Sequence, residues 1–71
     1  MAQIPSHEPE PLRLDQFLKI SGLVGTGGQA KIVIQAGEVT VNGTVELRRR
    51  RKMAIGDVVE FDGNRCIVES I

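Results

Sequence analysis

Arg48, Arg49, Arg50, Arg51 and Lys52 are consecutive, in a 71-residue chain whose formal net charge is zero. These are the residues whose type and spacing could do chemistry. The flanks do not share their sign. Residues 1–47 carry Arg13, Lys19 and Lys31 against Glu8, Glu10, Asp15, Glu38 and Glu46. Residues 53–71 carry Arg65 against Asp57, Glu60, Asp62 and Glu69. Adjacent like charges repel, so a fold gains nothing from the run alone. A polyanion gains a great deal, because each cation that meets a phosphate releases condensed counterions. Three to five such contacts give a slope of log affinity against log salt of roughly −2 to −4. The bland alternative is a solvated loop. The internal position of the run, between a hairpin and a final strand pair, favours presentation from a folded support.

Other chemistry is missing. No serine or cysteine sits in a nucleophile motif, and no acidic pair suggests acid–base work, so no enzymatic activity is expected. No cofactor, metal or small-molecule substrate is expected either. His7 lies in the proline-containing stretch 1–11, read as a mobile tail in which it is solvent-exposed and inert. Cys66 has no partner cysteine and reads as a core thiol. Gly25, Gly27 and Gly28 resemble a phosphate loop only superficially. A helix rather than a strand precedes them, and no Gly-Lys-Ser/Thr follows, so they read as a tight inter-helix turn. The amides opening the second helix still offer partial positive charge to a phosphate. Both phenylalanines, Phe17 and Phe61, fit core stripes, and Trp and Tyr are absent. Base stacking therefore cannot dominate, and recognition of structured RNA by backbone and shape is the better reading.

The elements that must position the run follow from the rest of the chain. Residues 12–71 form a single small α+β domain whose aliphatic core gives about 3–5 kcal/mol of net stability. A first helix starts at Leu14 or Asp15, with Leu14, Phe17, Leu18 and Ser21 as its buried stripe and Gln16 and Lys19 outward. Gly22 ends it. Thr26-Gly27-Gly28-Gln29 matches a capping box: the Thr26 hydroxyl would accept from the Gln29 amide and the Gln29 side chain from the Thr26 amide. Ala30, Val33 and Ile34 are then the buried stripe, Lys31 and Gln35 share another face, and Gly37 stops the helix. Val39-Thr40-Val41-Asn42-Gly43-Thr44-Val45 predicts a type I′ hairpin. Its simple register turns Val39 and Val41 away from Val45 and Leu47. Either a bulge intervenes or, as favoured here, the second arm leaves the ladder early. Ile55-Gly56-Asp57 turns into a last hairpin, with arms Val58–Asp62 and Arg65–Ser70. The favoured register turns on Gly63-Asn64, with Val59, Phe61, Cys66 and Val68 on one face and Asp62 opposite Arg65. An Asp62-Gly63 turn is read as scattering these apolar residues. Two short N-terminal helices thus pack on a small, mostly antiparallel sheet.

Three stretches in order carry a resemblance. They are Arg13-Leu14-Asp15-Gln16-Phe17-Leu18-Lys19, then Ala30 through Gly43, then Gly56-Asp57-Val58-Val59. Residues 13–59 resemble the alpha-L RNA-binding domain family, found in ribosomal small-subunit protein four, some pseudouridine synthases and tyrosyl-tRNA synthetases, and a heat-shock ribosome-binding protein. The small size and the stretches Gly28–Ile32 and Glu46–Arg50 look most like the short stand-alone members of the YbcJ type. The resemblance implies a helix–turn–helix-like pair beside a small sheet, with RNA bound across the helices and adjoining loops. Carried over by position, it implies RNA-binding roles for Arg13, Lys19, Thr26, Gly27, Gly28, Gln29, Lys31, Asn42, Gly43 and the loop Arg48–Lys52. The family usually has Ser-Arg where this chain has Thr26-Gly27. Thr26 replaces the serine as a cap; Gly27 cannot replace the arginine, so one expected phosphate contact is missing, and either the extra arginines at 48–51 compensate or a different RNA geometry is bound.

The expectation is a non-enzymatic, cytoplasmic, monomeric module that binds ribosomal RNA or tRNA, with the ribosome as a candidate partner and no membrane association. The rival is a protein-interaction adaptor whose basic loop grips an acidic protein surface. A third reading is an accessory subunit that delivers RNA to a separate modifying enzyme.

Overall fold

The computed structural model describes residues 12–69. The tail 1–11 with His7 lies outside the described residues, as do Ser70 and Ile71. Helix α1 spans Leu14–Ile20 and helix α2 spans Gly27–Gln35. Strands β1 (Val39–Val41), β2 (Thr44–Val45), β3 (Val58–Phe61) and β4 (Asn64–Ile67) form one antiparallel sheet in the order β2-β1-β3-β4.

Local chemistry sets the ends of the helices. At α1 the Asp15 carboxylate accepts from the Gln16 amide at 2.8 Å, and the Gln16 side chain accepts from the Arg13 amide at 3.0 Å. Gln16 is therefore a half-buried cap rather than an outward residue, because an orphan first-turn donor needs an acceptor. Ser21 is half-buried; it caps the helix C-terminus and its hydroxyl donates to the Leu18 carbonyl at 3.2 Å, outside the core stripe. At α2 the Thr26 hydroxyl accepts from the Gln29 amide at 3.0 Å, as the capping box requires. The Gln29 side chain reaches one residue further than expected and accepts from the Gly25 amide at 3.0 Å. The helix closes on Gly37, at φ +80°, with Gly37 N donating to Ile34 O and Glu38 N to Val33 O, both at 3.0 Å. This pair of bonds is a Schellman motif, and a Cβ at Gly37 would resist the left-handed backbone it needs.

The first hairpin has the simple Asn42-Gly43 register, Val41 opposite Thr44 and Thr40 opposite Val45. Both turn residues have positive φ. Strand β2 leaves after two residues, and Val45 and Leu47 are left exposed on the outer side, so early departure resolves the register conflict. The last hairpin turns on Asp62-Gly63, with Phe61 opposite Asn64 and Glu60 opposite Arg65, and not on Gly63-Asn64. Two points explain the correction. The registers differ by a slip of two positions, which preserves side-chain alternation, so Val59, Phe61, Cys66 and Val68 share a face in either one. The Asp62-Gly63 turn therefore does not scatter these apolar residues over both faces. Turn chemistry then decides, because Asp tolerates the left-handed first position (φ 54°) and Gly supplies the second (φ 77°).

Leu14, Leu18, Ala30, Ile34, Val39 and Val59 are fully buried between the helices and one face of the sheet, with Phe17, Val24, Val33, Val41, Met53 and Val68 completing the core. Cys66 and Phe61 are half-buried against its edge, so the Cys66 thiol borders the core rather than lying inside it.

Candidate nucleic-acid interface

The basic segment is a fixed loop. Its backbone forms the platform for the start of α1: Leu14 N donates to Arg51 O at 2.9 Å and Asp15 N to Arg49 O at 3.0 Å. Met53 N donates to Leu12 O at 2.8 Å, and Arg13 bridges Lys52 in antiparallel fashion. Helix amides that would otherwise be orphaned therefore bind the loop carbonyls. With its carbonyls turned to α1, the loop holds Arg50 and Lys52 exposed. Arg48, Arg50, Arg51 and Lys52 line one open concavity.

The five cations differ in state. Arg48 is exposed and grips Glu46 with Nε at 3.0 Å and Nη2 at 3.3 Å. Arg51 is largely covered: its side chain is 25% exposed, with Nε 3.1 Å from Glu46 Oε1 and Nη1 3.1 Å from Asp57 Oδ2. Its Nη1 also donates to the Lys52 carbonyl at 3.3 Å. Arg49, Arg50 and Lys52 have no carboxylate partner among the described residues.

Two carboxylates organise the loop. The Arg48 side chain holds the Glu46 carboxyl below its ordinary range, with the Arg48 amide and the Arg51 charge adding to the effect against a burial penalty. Asp57 is held low first by the Ala54 amide, which donates to Oδ2 at 2.8 Å, and then by the Asn42 amide group, which donates to Oδ1 at 3.0 Å. Asn42 Oδ1 in turn accepts from Val58 N at 2.9 Å. A continuous chain, Asn42–Asp57–Arg51–Glu46–Arg48, thus links the first hairpin turn to the basic loop. The only signal of this role of Glu46 in the sequence is its position two residues before Arg48. Asp57, immediately after Gly56 at the start of a strand, carried the signature of a turn-closing carboxylate.

The remaining candidates are spread over the surface. Arg13 caps α1, with Nε 3.2 Å from Asp15 Oδ1. Lys19 and Lys31 are exposed on α1 and α2. Thr26, Gly27, Gly28 and Gln29 form the exposed start of α2, and Gly43 sits at the tip of the first hairpin. The described hydrogen bonds and ion pairs tie Arg13 and Asn42 to the loop; none of them ties Lys19, Lys31 or the start of α2 to it. Among the described residues no group of three His, Cys, Asp or Glu side chains could hold a metal, and no helix is long and apolar enough to cross a membrane.

Known proteins are similar to this chain in sequence, and one solved structure is similar in fold. "Probable ribosome maturation protein RlbA" of Bacillus subtilis is 43% identical over 63 residues, 89% of each chain. "Putative RNA-binding protein YbcJ" of Escherichia coli is 43% identical over 53 residues, 75% of this chain and 76% of its own. The solution structure of Escherichia coli YbcJ, described as revealing an alfaL motif involved in RNA binding, superposes with a TM-score of 0.65 at 35% identity, covering 99% of this chain and 98% of that one. These likenesses bear out the alpha-L resemblance read from residues 13–59 and the two-helix, antiparallel-sheet fold. With the S4 domain model matching residues 5–69, the chain belongs to the S4 domain family.

Proposed function

We propose that this chain is a non-enzymatic RNA-binding module that docks on structured RNA, ribosomal RNA or tRNA, through its basic loop and the adjoining helices. One observation carries the reading: Arg49, Arg50 and Lys52, cations without a carboxylate partner among the described residues, sit on a loop fixed to α1 by its own backbone. A loop held in this way loses little entropy when it meets a phosphate backbone, and its contacts act together. Arg13, beside Lys52, extends the surface, and Lys19, Lys31 and the α2 start offer further positive potential. The YbcJ relatives are described as RNA-binding and RlbA as a ribosome maturation protein, which supports RNA as the partner and the ribosome as the place of docking. A cytoplasmic, monomeric protein fits this role.

The test is retention of bulk ribosomal RNA and tRNA by the purified protein across a salt series. The wild type is expected to show a log–log salt slope of roughly −2 to −4. Combined Arg49→Ala, Arg50→Ala and Lys52→Ala should remove most of the retention with an unchanged circular dichroism spectrum. Retention that survives this triple change at moderate salt sinks the reading. Cellular partners that persist after ribonuclease treatment point instead to an adaptor for an acidic protein surface.

A further inference from the structure

We propose that Arg51 is a positioning residue and not a phosphate contact: clamped between Glu46 and Asp57, it sets the shape of the loop from which Arg49, Arg50 and Lys52 meet RNA. The inference rests on the RNA-binding reading above and divides a run that the sequence presents as uniform. The Arg51 guanidinium spans two carboxylates, at 3.1 Å on Nε and 3.1 Å on Nη1. Both carboxylates are themselves mostly covered, each with 14% of its side chain exposed. Each is further saturated: Glu46 by the Arg48 amide and guanidinium, Asp57 by the Ala54 amide and Asn42. A phosphate recruiting Arg51 would leave both carboxylates with less compensation, and at least part of their charge would face the incoming anion. Arg48 differs, because it is 76% exposed and shares Glu46 with Arg51. It can swing to a phosphate while Arg51 keeps Glu46 neutralised. Lysine cannot replace Arg51, since a single ammonium lacks the planar fork that bridges the two acids.

Charge counting and geometry predict opposite signs for one variant. Asp57→Asn removes a negative charge beside the loop, so electrostatics alone makes RNA binding tighter. If Asp57 acts by holding Arg51, the same change loosens the loop and weakens binding, on the order of tenfold for loss of a hydrogen bond between charged groups. The experiment measures binding of labelled bulk tRNA and ribosomal RNA to the full chain, well below the melting midpoint, over a salt series. The expected result is weaker binding for Asp57→Asn and for Arg51→Lys, with the salt slope unchanged in Arg51→Gln. Arg50→Ala should reduce the magnitude of the slope by about 0.7–0.9, as one lost phosphate contact requires. Ile34→Val, a purely core change, should lower the melting midpoint without weakening binding, which separates loop shape from general stability. Tighter or equal binding by Asp57→Asn, or a slope loss in Arg51→Gln that matches Arg50→Ala, overturns the inference while RNA binding itself stands. Failure of the wild type to bind either RNA removes the parent reading, and this one with it.

Discussion

Glu46 and Asp57 are held in their charged forms by hydrogen-bond donors and cations of the folded chain. A carboxyl whose folded pKa lies below its unfolded value adds stability above the unfolded pKa and loses it as pH falls through the folded one. Both groups shift in that direction. The contribution of these two groups to folding stability should therefore be constant above about pH 5 and should be lost as pH falls through about 4 and below. Chemical denaturation at a series of pH values reads this directly, and in Asp57→Asn the decline should be shallower. Asn42 makes a second residue-scale case. Its backbone is left-handed at φ 54°, and its side chain bonds both Asp57 and the Val58 amide. Asn42→Gly keeps the turn conformation but loses both side-chain bonds, and should cost about 1–3 kcal/mol in denaturant titration. Asn42→Ala should cost more, because Ala also resists the left-handed backbone. Equal costs for the two variants would mean that turn geometry is irrelevant at this position. Asn42 was legible as a turn residue from its neighbour Gly43. Its brace to Asp57 was not, because the two are far apart in sequence and meet only when β1 pairs with β3.

At the scale of elements, the chain states its helix ends clearly and its strand partners poorly. Thr26, Gln29 and Gly37 act within a few residues of themselves, so local chemistry is enough to read them. The pairing of β1 with β3 joins strands separated by the whole basic loop, and no local pattern announces it. The last hairpin shows a subtler limit. Alternation identifies which residues share a face but not which of two registers, two positions apart, is used. Turn propensity held the missing information in Asp62-Gly63. The local terms can be weighed at α2. Thr26→Ala removes an N-cap and should cost about 0.5–2 kcal/mol in thermal or denaturant unfolding. Gly27→Ala should raise stability by about 0.4–1 kcal/mol, since nothing beyond its chain neighbours and its own helix backbone lies within 4 Å of a Cβ there and the backbone is helical. A destabilised Gly27→Ala would show that this glycine is bent or packed in a way that its open surroundings conceal.

At the scale of the whole molecule, the basic loop proposed as the interface and the fold share hydrogen bonds. The carbonyls of Arg49 and Arg51 hold the first amides of α1, and Met53 both ends the loop and sits in the core. Unfolding the domain must therefore dissolve the arrangement of cations. The sequence identifies the cations but not this coupling, because a run of five arginines and lysines looks the same on a folded platform as in a disordered polycation. Thermodynamic linkage separates the two. A ligand that binds only the native state stabilises it by RT ln(1 + [L]/Kd), about 2.7 kcal/mol at a hundredfold excess over Kd. In a domain of this size each kcal/mol moves the melting midpoint by about 4–8 °C. Saturating structured RNA should therefore raise the midpoint by about 10 °C or more in low salt. The rise should shrink as salt is added, in step with the loss of affinity. It should also be much reduced in the Arg49, Arg50 and Lys52 triple alanine variant. If RNA is retained but the midpoint does not move, the unfolded chain binds as well as the folded one, and the platform beneath the loop has no part in recognition.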